Sequence, residues 1–177
     1  VDEINLDKLN LIFLSLPNGE AQKFIGKFFL KNTNIKYIDL SADFRISNSK
    51  IYEKNYKIKH KAKKLIKNAI YSIPELNKII DTKIRIVANP GCYPTSIQIP
   101  LVPLIINDKI KIHDITIDAK SGYSGAGKNL EEKFNHKNLY SSVYAYNTKN
   151  HRHVCEIDQE LTKLTNKNVK FSFNPHL

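Results

Sequence analysis

Cysteine is scarce in this chain: Cys92 and Cys155 are the only two among 177 residues. They lie far apart and build no disulfide framework, so a reducing, cytoplasmic compartment is the default expectation. Glycine is also sparse, at Gly19, Gly26, Gly91, Gly122, Gly125 and Gly127, and no G-x-G-x-x-G can be assembled from these near the start. The turn on which a dinucleotide-binding sheet normally opens, seating a pyrophosphate on a helix N-terminus, is therefore missing. No apolar run approaches the roughly 20 residues of a helical membrane span, and no signal peptide opens the sequence. Arginine supplies only three of the 28 basic residues, Arg45, Arg85 and Arg152. With lysine, asparagine and isoleucine abundant throughout, the net charge of +11 reads as drift in an A+T-rich coding sequence. Such drift puts lysine on solvated faces, and no nucleic-acid partner is expected. The hydrophobic share of 41% is enough for a real core in one or two domains.

Strands alternate with helices in the first half. Leu9 to Leu16 is an apolar run, broken at Asn10 and Ser15 and closed by Pro17-Asn18-Gly19, the pattern of a strand buried on both faces. Glu20 to Leu30 reads as an amphipathic helix with Phe24, Ile25, Phe28 and Phe29 on one side, and Ile35 to Leu40 and Ile84 to Ala88 read as further buried strands. This alternation predicts an open, doubly wound α/β sheet whose ligands sit at the carboxyl ends of its strands. Pro17, Ser41 to Arg45 and Cys92 all follow such an end. Lys54 to Lys67 is a basic run that reads as a solvated face, with an electrostatic funnel for anionic ligands as the functional alternative, and His60 within it is expected at the surface.

The stretch Asn89-Pro90-Gly91-Cys92-Tyr93-Pro94-Thr95 carries the chemistry. A thiol in the first turn of a helix feels the positive end of the macrodipole, which makes Cys92 a candidate nucleophile; a small cysteine packed under a turn is the plainer reading. Pro100 and Pro103 in the following helix predict a kinked or short one. Ile110 to Asp118 alternates, with a phase break near His113-Asp114, as a half-solvated strand. Ser121 to Lys128 is a glycine-containing loop. His151 and His153 would point to one side if extended, and a helix from Val154 carries Glu156 in its first turn and Ile157, Leu161 and Leu164 on one face. A metal set of His151, His153 and Cys155 lacks a second Cys/His pair to close it, and no metal is expected.

Asn89 to Thr95 resembles the active-site signature of the N-acetyl-gamma-glutamyl-phosphate reductases, NADPH-dependent enzymes of arginine biosynthesis. Asp39-Leu40-Ser41-Ala42-Asp43-Phe44-Arg45, Ser121 to Lys128, His151-Arg152-His153 with Glu156, and Asn174-Pro175-His176-Leu177 are similar to the same family, in the same order. The resemblance implies part of a doubly wound Rossmann NAD(P)-binding domain over residues 1–91 and an α+β catalytic and dimerisation domain of the semialdehyde dehydrogenase type over 92–177. It implies Cys92 as nucleophile and His153 and His151 as catalytic histidines; His153 is favoured for acid/base work and His151 for substrate, while their spacing fits either assignment. Arg45, Lys128 and Glu156 are implied at the substrate, and Leu16, Pro17, Ser121, Gly122, Ser124 and Gly125 at NADP(H). A small acyl phosphate, a homo-oligomer and no membrane follow as expectations. So does an interior piece lacking the first β-α-β portion and the segment after Leu177, poorly soluble by itself. The rivals are aspartate-semialdehyde dehydrogenase, the lysine-biosynthesis reductase of the same superfamily, and a non-catalytic basic binding module.

Overall fold

The computed structural model describes residues 5–77, 81–122, 125 and 142–177. Strand β1 (Leu11–Leu14) leads through Pro17-Asn18-Gly19 into helix α1 (Glu20–Phe28). Gly19 caps that helix with φ at 95°, a left-handed backbone that suits glycine. Then come β2 (Lys36–Asp39), α2 (Ser49–Tyr56), β3 (Ala69–Tyr71) and β4 (Ile86–Ala88). The four strands form one parallel sheet in the order β1-β2-β4-β3. Leu14, Ile25, Tyr37 and Ile86 form its buried core with α1. At the edge, β1 turns Leu11 and Phe13 outward, 45% and 61% exposed.

Helix α3 (Cys92–Ile106) follows β4, and β5 (Ile115–Lys120), α4 (Val154–Thr165) and β6 (Phe171–His176) complete the described fold. β5 and β6 pair in parallel as a second, two-stranded sheet. Ile97, Val102 and Ile105 of α3 pack there with Ile157 and Leu161 of α4 and Phe173 of β6. The break in alternation is real: Asp114 has φ of 59°, and the regular strand starts one residue later.

Three expectations need correction. The helix after Cys92 is not short; it runs 15 residues with both prolines inside. Pro100, Pro103 and the residues four back, Ser96 and Ile99, are all exposed, so both prolines fall on the solvated side of the helix. The three-residue strand β3 at Ala69–Tyr71 is not among the strands that the sequence predicts. Too short to alternate, it was masked by the lysine run before it. Those lysines are exposed, as the solvated-face reading requires, but His60 is buried at 3% exposure. Its Nδ1 accepts the Ala62 N–H at 3.1 Å, so Nε2 carries the proton and donates to the Asp43 carbonyl at 2.8 Å.

Candidate active site

The carboxyl ends of β1, β2 and β4 converge on the start of α3. Cys92 is the first helical residue, an exposed free thiol, and Gly91 before it is extended (φ −69°, ψ 161°). Helices leave their first N–H groups without intrahelical partners. Pro94 has no N–H, and Thr95 already bonds the Gly91 carbonyl at 3.0 Å. The N–H groups of Cys92 and Tyr93 are what remains beside the sulfur to stabilise a developing oxyanion.

A cavity of about 300 Å³ opens at this point. Leu16 and Pro17 line it from beyond β1, and Ser41, Ala42 and Arg45 from beyond β2. Gly91, Cys92, Arg152 and His153 close the other side. The structure thus brings Cys92, His153, Arg45, Leu16 and Pro17 together around one cavity and adds Arg152. No lysine of the basic run is among the described residues that line it.

His151 and His153 do meet, with ring centroids 4.8 Å apart, but not by way of an extended segment. His153 has helical backbone angles (φ −74°, ψ −13°), and its N–H donates to His151 Nδ1 at 3.1 Å. A Cβ added to Gly91 would lie only 2.9 Å from His153 Nε2, so the ring rests directly on the backbone before Cys92 and depends on glycine there. His151 is boxed by Tyr93, Tyr146 and Phe173 and lines a different cavity, of about 390 Å³, with Lys149, Lys170 and Asn55. Burial pushes the His151 pKa down to about 4, helped by Arg152, and that of His153 to about 3, helped by His151, Arg45 and Arg152. Both rings are neutral at pH 7, and His153 Nδ1 has no hydrogen-bond partner among the described residues.

Glu156, expected at the substrate, is placed otherwise. It is wholly buried, and it lines none of the Cys92 cavity. Oε1 accepts the Gly91 N–H at 2.9 Å and the Tyr71 hydroxyl at 3.0 Å, while Oε2 faces Arg45 Nη1 at 3.5 Å. Arg45 in turn donates from Nε to the Asn89 carbonyl at 2.7 Å and from Nη2 to the Leu40 carbonyl at 2.8 Å. Much of its fork is therefore spent on backbone. Within the same motif, Asp43 accepts the Gly19 N–H at 2.8 Å, the Gln22 N–H at 3.0 Å and the Tyr52 hydroxyl at 2.6 Å. A protein carboxylate fills the anion position at the N-terminus of α1, which leaves no pyrophosphate seat there.

Ser121 and Gly122 follow β5, where Ser121 N–H donates to the His176 carbonyl at 2.9 Å; they and Gly125 lie apart from the Cys92 cavity. Ser124 and Lys128 lie outside the described residues. The sequence assigns no individual role to Arg152, Asp43, Tyr71 or Gln98, whose amide donates to Tyr71 at 2.7 Å. Arg152 carried a usable signal: where lysine is the default cation, an arginine stands out. Two of the three arginines line the cavity, and the third, Arg85, bonds the carbonyls of Phe29, Asn32 and Ile35.

The two thiols differ enough to test. Cys155 is partly buried, and burial with the neighbouring Glu156 pushes its pKa up to about 11. Limiting iodoacetamide at pH 8 is expected to label the exposed Cys92 well before Cys155, read by peptide mass spectrometry; equal labelling would contradict the placement of Cys92 at an open cavity.

Comparison with known proteins agrees with this architecture. The family model described as "Semialdehyde dehydrogenase, NAD binding domain" matches residues 1–82, and "Semialdehyde dehydrogenase, dimerisation domain" matches residues 92–177. The chain belongs to the semialdehyde dehydrogenase family. Within it, the chain is 42% identical over its whole length to the N-acetyl-gamma-glutamyl-phosphate reductase of Desulforamulus reducens, covering 52% of that protein. It is also 42% identical over its whole length to the probable chloroplastic enzyme of that name from Arabidopsis thaliana, covering 43% of it. The Clostridium novyi enzyme of that name is 41% identical over 97% of the chain and 49% of the relative. The chain spans about half the length of the curated relatives it matches. Among the described residues no helix is long and apolar enough to cross a membrane.

Proposed function

We propose that this chain carries the catalytic centre of an NADPH-dependent N-acetyl-gamma-glutamyl-phosphate reductase. The observation that carries the reading is the exposed Cys92 thiol at the head of α3, in one cavity with His153 and two arginines. The relatives' shared name supplies the substrate. In the reaction, neutral His153 accepts the thiol proton as sulfur bonds the acyl carbon, and the carbon–oxygen bond to phosphate breaks with its electron pair leaving on phosphate. The incoming anion raises the His153 pKa toward its working range. Capture as a thioester divides one difficult reduction into two easier steps. Bound NADPH would supply the hydride that reduces the thioester to N-acetylglutamate semialdehyde; the proton held by His153 returns to the sulfur and restores the Cys92 thiol. The N–H groups of Cys92 and Tyr93 hold the oxyanion, and Arg152 with the uncommitted N–H groups of Arg45 holds the phosphate.

Leu16 and Pro17 suit one end of the dinucleotide, since they present apolar surface beside the arginines. Ser121, Gly122, Ser124 and Gly125, with Lys128 toward phosphate, are assigned the nicotinamide end on resemblance. The same reading divides the chain into residues 1–91 for nucleotide and 92–177 for catalysis and self-association. Tight packing of His151 on His153 gives it a supporting role in addition to any contact with substrate. A reducing compartment keeps Cys92 free; the cytosol meets that need, as would the plastid named for the plant relatives.

The test is NADPH oxidation and phosphate release by the intact enzyme with N-acetylglutamyl phosphate and with aspartyl phosphate. The first is expected to be favoured by about 100-fold or more in kcat/KM. Preference for aspartyl phosphate would move the chain to the rival dehydrogenase, and turnover of neither would overturn the reading.

A further inference from the structure

The turn that delivers the nucleophile is only three residues long, and nearly every backbone polar group in it has an identifiable partner. Asn89 N–H donates to the Asp39 carbonyl at 2.9 Å, and Asn89 carbonyl accepts Arg45 Nε at 2.7 Å. The Pro90 carbonyl accepts the Asn89 side-chain amide at 3.2 Å, and Pro90 has no N–H to place. Gly91 carbonyl accepts the Thr95 N–H at 3.0 Å and its hydroxyl at 2.8 Å. The remaining donor, the Gly91 N–H, is taken by Glu156, which comes from α4, 65 residues later in sequence.

We propose that Glu156 is the positioning residue of the Cys92 turn. Its carboxylate pulls the Gly91 amide inward, and through Arg45 it braces the Asn89 carbonyl, so that the turn is held at both ends by one buried ion pair. Two consequences follow for the reaction. With the Gly91 N–H committed, the oxyanion donors are confined to Cys92 and Tyr93. Gly91 is also pressed against His153 Nε2, which fixes the spacing of base and nucleophile. Tyr71 completes the anchor: its hydroxyl donates to Glu156 Oε1 while accepting from Gln98 of α3, so the carboxylate is tied to the helix that Cys92 begins. Glu156 has no exposed surface and touches no substrate in this account, which separates it from a binding residue. The kinetic part of the inference rests on the reductase reading; the positioning part does not.

The experiment compares Glu156→Ala, Glu156→Gln and Tyr71→Phe in the intact enzyme, measuring the rate of Cys92 alkylation by iodoacetamide from pH 6 to 9 without substrate, then kcat and KM. Loss of orientation by about 1 Å costs about 10²-fold, so Glu156→Ala is expected to lower kcat on that scale with KM for the acyl phosphate little changed. It should also slow Cys92 alkylation at each pH. Glutamine keeps an oxygen for the Gly91 N–H and should restore much of both rates, and Tyr71→Phe should shift them in the same direction as alanine but less. Parental alkylation rates in Glu156→Ala would overturn the proposal, as would a rise in KM at unchanged kcat, which marks a substrate-binding residue. Should Glu156→Ala fail to fold, parental alkylation in both other variants would overturn it. Because alkylation needs no substrate, absence of turnover in the unsubstituted enzyme would strike the reductase reading alone.

Discussion

Cys92→Ser is expected to lower acyl-phosphate reduction by about 10⁴-fold or more, the scale on which an enzyme loses a nucleophile acting with its base. A serine hydroxyl at its ordinary pKa forms no acyl-enzyme at a useful rate, and neutral His153 is too weak a base to compensate. The side chain is exposed, so the exchange of sulfur for oxygen disturbs no core packing. The serine variant should therefore unfold at the parental temperature. Binding of NADPH and acyl phosphate should survive, since Arg45, Arg152, Leu16 and Pro17 are untouched. Substantial turnover in a correctly folded serine variant would remove Cys92 from the mechanism.

The second large effect is expected at His153. Replacement by asparagine removes the ring nitrogen beside Gly91 and should lower kcat by about 10²–10⁴-fold, the range for a general acid/base. His151→Asn should cost kcat far less, because an asparagine oxygen can still accept the His153 N–H and the Cys92 cavity does not include residue 151. The His153 pKa is depressed from 6.5 to about 3, chiefly by burial, so the acid limb of kcat/KM for the parent is expected well below pH 6.5. The stability consequence has a definite sign. A folded-state pKa below the unfolded value means that the unfolded chain takes up a proton first, so the contribution is present above pH 6.5 and is lost as pH falls toward about 3. Asp39 acts oppositely, since burial raises its pKa from 3.8 to about 6. It is common to parent and variant, so denaturant titrations from pH 7 to 4 should show less acid destabilisation in His153→Asn than in the parent. Identical slopes would contradict the buried, neutral placement of His153.

Much of this site is legible in the chain because its parts are local. The run Ile84 to Ala88 followed by Pro90-Gly91 announces a strand end and a turn, and Cys92 at the start of a helix follows from it. Leu16 ends one apolar run, and Pro17 and Arg45 lie past the ends of such runs, where an open parallel sheet places its ligands. What could not be read was set by long-range pairing. Glu156 has the position of an ordinary first-turn acid, favourable to the dipole of α4. Only folding carries it to Gly91 and Tyr71, and no periodicity encodes that contact. His60 sits among lysines and shares their apparent exposure, yet its ring closes on the Asp43 carbonyl. The prolines of α3 weigh against a continuous helix by local rules, and the fold overrides them by turning that face to water. Asp43 is similar: a charged residue in a loop reads as solvated until α1 supplies the N–H groups that it caps.

The proposed reaction passes through a thioester on Cys92. The direct measurement is mass spectrometry of the intact enzyme mixed with N-acetylglutamyl phosphate in the absence of NADPH and quenched in acid, with released phosphate counted in parallel. One N-acetylglutamyl group is expected on the peptide containing Cys92, with one phosphate released per site in the initial burst. An unmodified Cys92, or an acyl group carried instead by Cys155, would contradict it.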